Sequence, residues 1–302
     1  MKNQLKTLLL LGILTTIVVA IGGSVSQGGL MIALGFAVLM NVGAYWFSDK
    51  IVLAMNGAKP IGPDQMPEVY EIVQELTQRA GMPMPKVYLM EDAQPNAFAT
   101  GRSPSRAAVA VTAGILQILD RRELRGVIAH ELAHVKNRDT LVSCVAAVMA
   151  GVVTALANML QWAAIFGGGR SDDEEGGSPI GAIALAIIAP IAASMVQFGI
   201  SRSREYLADQ TGAQISGDPE ALARALEKLQ RGAMRIAPEH ARPATASLYI
   251  INPFAGLSGR RVMSLFSTHP DTDERVRRLR AMASEGFRDA GGGIVFGQAR
   301  RG

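Results

Sequence analysis

His130-Glu131-Leu132-Ala133-His134 lies in a segment, 121–138, that reads as helix. The two histidines are four apart, so on a helix both imidazoles leave one face, one turn from each other. Two nitrogens so placed can close on one Zn²⁺ at roughly 2.0–2.1 Å. Glu131, one residue on, points about 100° round the helix, where it can hold and deprotonate an attacking water without being a ligand itself. The five residues therefore supply a metal clamp and a general base. Only three letters of the pattern are fixed, and a surface helix can carry it with no metal. The rest of the chain has to decide between these readings.

Composition places the helix at a membrane. The chain has 302 residues, 49% of them hydrophobic and 19% charged, with a mean hydropathy of +0.20. A soluble enzyme of this length carries more charge. The apolar excess is concentrated: residues 7–48, 141–169 and 176–201 contain no charged side chain. Each tract is long enough for a spanning helix of about 20 residues. The first breaks at Gly22-Gly23-Ser24 and Gln27-Gly28-Gly29, which predicts two spans, 7–23 and 29–47. Tyr45-Trp46-Phe47 close the second as an aromatic belt before Asp49-Lys50. The third and fourth spans are expected at 141–163 and 179–200, the last with Pro190 inside it. A cleaved signal peptide over 1–22 is the alternative for the first span; the immediate second span favours a retained anchor.

Charge also orients the chain. Lys2 and Lys6 mark an inner N-terminus. Residues 49–138 and 202–302 hold nearly all the Lys and Arg, whereas the loop assigned outside, 167–178, carries Asp172-Asp173-Glu174-Glu175. The catalytic part is therefore expected in the cytoplasm. Net charge is +4 and the pI near 9.4, which suits a face on anionic lipid headgroups. No nucleic-acid motif competes with that. The single cysteine, Cys144, allows no disulfide within the chain and is assigned no role.

A catalytic zinc site needs a third protein ligand and an open position. His240 and His269 are the remaining histidines, and any well-placed carboxylate also qualifies. Glu205 and Asp209 lie at i and i+4 just after the fourth expected span. Glu205 can ligate a metal, and Asp209 can accept the spare N–H of a ligating imidazole. The plain alternative is a charged collar where a membrane helix enters water. An antiparallel hairpin of spans three and four would return Glu205 to the depth of His134, at the inner membrane surface.

In this order of elements the chain resembles the HtpX-type membrane zinc metalloproteases, relatives of the CAAX prenyl endopeptidases. The resemblance rests on the two N-terminal spans, the His130–His134 helix, the membrane hairpin and Glu205–Asp209, and it covers nearly the whole length. It implies zinc on His130, His134 and Glu205, Glu131 as general base and acid, and Asp209 behind the ligands. It also implies that Gln94-Pro95-Asn96-Ala97-Phe98-Ala99 is a strand bordering the cleft, with Asn96 and Ala97 as substrate-binding candidates. Without the resemblance, Asn96 reads equally as a turn residue after Pro95. In Thr268-His269-Pro270, the family likeness implies that His269 stabilises an oxyanion; the plain reading is a loop histidine before a helix.

The expected fold is mainly α: four transmembrane helices plus a cytoplasmic, zincin-like α+β domain with a small antiparallel sheet. The sheet is expected from 86–90 and 107–112, with amphipathic helices at 66–80, from Asp218 to about 232, and at about 272–282. Residues 233–265 read as loop and the tail from Phe287 as flexible. The divisions are 1–48, a membrane hairpin; 49–140, the first catalytic part; 141–200, a second hairpin; 201–286, the second catalytic part; and 287–302, the tail. The expected activity is endoproteolysis of membrane or misfolded polypeptides at the cytoplasmic face of a bacterial inner membrane, in an unspecified oligomeric state. Two rivals stand beside it. In one the motif lies within the bilayer, which the charges Arg121, Arg122, Glu123, Arg125, Lys136, Arg138 and Asp139 on that helix and at its end oppose. The other is a non-catalytic scaffold or transporter with structural zinc, which has no use for Glu131.

Overall fold

The computed structural model describes residues 2–166, 202–234, 248–251, 270–285, 287–288 and 294–295. Helices α1 (Lys2–Val25) and α2 (Gln27–Met55) form a hairpin broken only at Ser26. The Ser26 hydroxyl accepts the Gly29 N–H at 2.9 Å and so caps α2. Helix α2 does not stop at the aromatic belt but continues to Met55. The third long helix, α6 (Thr140–Phe166), packs on both: Leu10 and Leu14 of α1 and Ala37 of α2 meet Val142, Val145 and Met149. Small residues on α2 let the backbones approach. Among the described residues, one helix, α2, is long and apolar enough to cross a membrane; the apolar runs Leu5–Ala20 and Thr140–Thr154 are shorter. The expected fourth span, 179–200, lies outside the described residues.

Between the long helices the chain builds a four-stranded sheet from β1 (Lys59–Pro60), β2 (Lys86–Met90), β3 (Ala97–Thr100) and β4 (Ala108–Thr112), in the order β1-β2-β4-β3. The sheet is mixed, which corrects the antiparallel expectation: β2 and β4 pair in parallel, with Val87 opposite Val109. The chain leaves β2, lays β3 on the far edge, and returns antiparallel as β4 into the gap between them. That return forces β4 into the direction of β2. Alternation divides the strand residues between two cores. Val87, Ala97, Ala99, Val109 and Val111 face the catalytic helices, while Met90, Phe98, Ala108 and Ala110 pack on Val52, Leu53, Cys144 and Ala147 of α2 and α6. One sheet thus joins the site to the long helices.

Local signals set the remaining helices. Pro67 opens α3 (Pro67–Ala80), and Gly81 closes it with φ +66°, a left-handed turn natural to glycine. Short α4 (Ala113–Ile118) leads into α5 (Arg121–Lys136), which starts with a reciprocal capping box between Asp120 and Glu123. Helices α7 (Arg202–Ser216), α8 (Pro219–Ala233) and α9 (Thr272–Glu285) follow. In the tail, Phe287–Arg288 pairs antiparallel with Ile294–Val295.

Helix α7 crosses α5 at Gly212. A Cβ there would lie 2.8 Å from the Cα of His130 and 2.9 Å from its backbone nitrogen. Gly212→Ala must push the two helices apart where both carry site residues. It should cost about 1–3 kcal/mol in chemical denaturation and lower metal affinity in parallel. Unchanged unfolding would show that the crossing has slack.

Candidate metal centre and active site

Helix α5 presents His130 and His134 on one face, and α7 brings Glu205 against them. The two Nε2 atoms lie 3.2 Å apart. Glu205 Oε1 is 3.5 Å from His134 Nε2, and Oε2 is 3.8 Å from His130 Nε2. All three ligand atoms fall within 4.8 Å of one another. Two nitrogens on a tetrahedral ion with bonds of roughly 2.0–2.1 Å would be separated by about 3.3 Å. The donor set therefore fits a metal in both type and spacing.

Each imidazole is oriented from behind by a carboxylate. His130 Nδ1 lies 3.0 Å from Asp209 Oδ1, and His134 Nδ1 lies 3.4 Å from Asp139 Oδ2. A partner at Nδ1 leaves the Nε2 lone pair for a metal. Asp139 gets there through a break in the chain where the sequence predicts continuous helix to 138. Arg138 adopts φ +59°, and the Asp139 N–H bonds the His134 carbonyl at 3.0 Å. A left-handed non-glycine residue costs roughly 1–2 kcal/mol, here at a turn that places a carboxylate beside His134.

Charge in the site asks for a cation. With all four ionised, Glu131, Asp139, Glu205 and Asp209 face two guanidiniums, Arg204 and Arg275. Burial opposes charging of His134, yet the carboxylate of Glu205, with Asp139 and Glu131, raises its pKa to about 9. Burial pushes His130 down. It also lifts Glu131 to about 7, the range that suits a group taking and returning a proton near neutrality. Burial would lift Asp209 too, but the Arg275 guanidinium overrides it and holds the carboxyl at about 2.

The cleft is a cavity of about 40 Å³, room for a few waters, walled by Phe98 and Ala99 of β3, by Arg204, and by Leu248, Tyr249 and Ile250. The Ala99 N–H donates to Glu131 Oε2 at 2.9 Å. Because the Asn96 carbonyl accepts the Thr112 N–H at 2.9 Å, even-numbered residues of β3 bond to β4, and Ala97 and Ala99 turn their backbone groups away from β4.

The candidates from the sequence divide as follows. His130, Glu131, His134, Glu205 and Asp209 meet in one cluster. Asn96 is buried beside the cavity wall: its amide oxygen accepts the Ile250 N–H at 3.1 Å, its backbone N–H donates to Thr112 Oγ1 at 2.9 Å, and its amide nitrogen has no partner among the described residues. Ala97 is fully buried at the start of β3, and neither it nor Asn96 forms the cavity wall. His269 and His240 lie outside the described residues. Sequence reasoning missed Asp139, Arg204, Arg275 and the Leu248–Ile250 wall. The sequence does mark Arg275: it sits on the stripe of Leu279 and Met282, where an apolar residue is due.

A His-Glu-x-x-His helix joined by a carboxylate from a second helix, beside an edge strand, defines a metallopeptidase centre. The chain belongs to peptidase family M48, whose model matches residues 63–283. It is 56% identical over 285 residues to "Protease HtpX homolog" of Syntrophobacter fumaroxidans, covering 93% of this chain and 100% of the relative. To the protein of the same description from Aquifex aeolicus it is 55% identical over 272 residues, covering 88% and 89%. Among solved structures it is similar to S. mikatae Ste24p, with a TM-score of 0.48 and 18% identity over 92% of this chain and 65% of that one. The chain is a membrane-bound metalloprotease.

Proposed function

We propose that the protein is a zinc endopeptidase working at the cytoplasmic surface of a bacterial inner membrane on membrane or misfolded polypeptides. The convergence of His130, His134 and Glu205 within 4.8 Å carries this reading. These three residues hold the metal, and Asp209 fixes His130 from behind. When bound, zinc would supply Lewis acidity toward a water and a carbonyl. Glu131 takes the proton of the attacking water and delivers it to the leaving nitrogen; its bond to Ala99 holds the carboxylate still while the other oxygen works. The edge strand β3, which borders the cavity at Phe98 and Ala99, is the segment along which an extended substrate backbone would lie, with Ala97 next to it. Asn96 supports that strand and the Ile250 wall, and through them the substrate carbonyl. His269 is assigned the developing oxyanion.

For the membrane part we propose four spans, in α1, α2, α6 and 179–200, with the domain limits given above. Ile32, Leu39 and Met31 of α2 are 76%, 71% and 64% exposed, an apolar face that suits lipid rather than water. Arg102 stacks over Trp46 at 4.0 Å, as a headgroup-level contact would.

Chelator treatment of the purified protein is expected to stop cleavage of an unfolded substrate such as casein, and stoichiometric Zn²⁺ to restore it. Full activity in a preparation stripped to no detectable metal would remove this reading. Zinc should restore activity at lower concentration than Mg²⁺ or Ca²⁺, because two imidazoles suit a softer ion.

A further inference from the structure

Arg275 is the largest fully buried side chain in the described structure, at 0% exposed. Its Nε donates to Asp209 Oδ2 at 2.8 Å and its Nη2 to Oδ1 at 2.7 Å, a two-point clamp. The same Oδ1 lies 3.0 Å from His130 Nδ1. The third nitrogen, Nη1, donates to the Ile250 carbonyl at 3.3 Å and lies 3.9 Å from Glu205 Oε2. Packing does not call for this residue, since Val276 and Leu279 already seat α9 in the core. A buried ion that packing does not need is a poor source of stability. Nor is Arg275 among the residues that wall the cavity. What it can reach is the metal centre, through Asp209 and directly, its Nη2 lying 3.4 Å from His130 Nε2. An unclamped carboxylate can rotate; a clamped one keeps Oδ1 in place, 3.0 Å from Nδ1. Held there, it favours the tautomer with the Nε2 lone pair available and restrains the plane of the ring.

We propose that Arg275 is a positioning residue of the metal centre: by clamping Asp209 it fixes His130, so that docking of α9 sets the affinity with which the site holds its metal. The idea rests on the assignment of His130, His134 and Glu205 as ligands. It makes the C-terminal helix, 66 residues from Asp209 along the chain, part of the metal site.

The test uses the full chain in detergent and measures Zn²⁺ affinity by competition with a chromophoric chelator. The visible spectrum of the Co²⁺-loaded protein reports ligand geometry. Arg275→Gln is expected to weaken Zn²⁺ binding roughly 10–100-fold and to shift the Co²⁺ bands. Asp209→Asn should do the same. In the Asp209→Asn background, Arg275→Gln should change affinity clearly less than it does alone, because both substitutions break one chain of contacts. Arg275→Lys, which keeps the charge but loses the fork, should fall between. Wild-type affinity in folded Arg275→Gln, or losses that multiply in the double variant, would overturn the proposal. A purely structural role would lower the unfolding temperature and leave affinity and spectrum unchanged, and that result would overturn it equally. If Arg275→Gln does not fold, Arg275→Lys and Asp209→Asn carry the comparison, and wild-type affinity in both rejects it. His134→Ala serves as control: undiminished metal binding there would defeat the ligand assignment itself, whatever Arg275 does.

Discussion

Glu131→Gln should leave the metal in place and remove peptide cleavage, by roughly 10²–10⁴-fold in kcat. The side chain is not among the converging ligand atoms, so the centre has no reason to lose its ion. The amide keeps the shape and can still accept the Ala99 N–H, so β3 should not move. What it loses is the ability to take a proton. Metal content by elemental analysis and turnover of an unfolded substrate, on the same preparation, check both halves. Residual turnover near the wild-type value would mean that another group is the base, and the mechanism above would fail. Loss of metal together with activity would instead make Glu131 part of the metal site.

The second large effect is expected at Glu205. Glu205→Ala removes the ligand that α7 contributes, and with it the tie that closes α7 onto the pair of histidines. Outer partners of a metal site are worth roughly 10–100-fold in affinity, so loss of a ligand should exceed about 100-fold. It also leaves Arg275 near the two imidazoles with one fewer carboxylate to balance it. The variant should therefore purify without metal and without activity, and added Zn²⁺ should rescue it only at high concentration. Glu205→Asp keeps the charge but shortens the reach, and should retain part of the affinity. If Glu205→Ala holds stoichiometric metal and cleaves normally, the third ligand lies elsewhere, and His269 is next to replace.

Much of this site is legible along the chain because its parts are local. A four-residue spacing on a helix puts His130 and His134 on one face whatever surrounds them. The same holds for Glu205 and Asp209. Charge-free tracts mark long apolar helices because hydrocarbon excludes charge, and three of those expected coincide with α1, α2 and α6. Asp120 with Glu123, Pro67 and Asp218-Pro219 mark helix starts because the unsatisfied N–H groups there need caps.

Contacts between distant segments leave weaker traces. Along the chain Asp139 is one more charge after the motif helix, and only the turn at Arg138 shows that it faces His134. The strands at 86–90 and 108–112 are readable as neighbours but not as parallel. Their direction depends on where β3 goes in between, and no strand states that locally. Asn96 is expected at the cleft; its side chain is buried and holds Ile250 of the cavity wall, a contact across 154 residues that no local pattern announces.

By itself, then, the amino-acid order determined the chemistry available: two imidazoles, a base, a carboxylate some 70 residues on, and long apolar helices to carry them. Helical periodicity and the exclusion of charge from hydrocarbon act over a few residues, and both can be read in one dimension. The tertiary structure alone decided how that chemistry is held. Arg275 reaches Asp209 across 66 residues, and Ala99 reaches Glu131 across 32. Such contacts exist only once α5, α7, α9 and β3 have packed into one core, because burial and close approach are properties of the assembled helices and sheet.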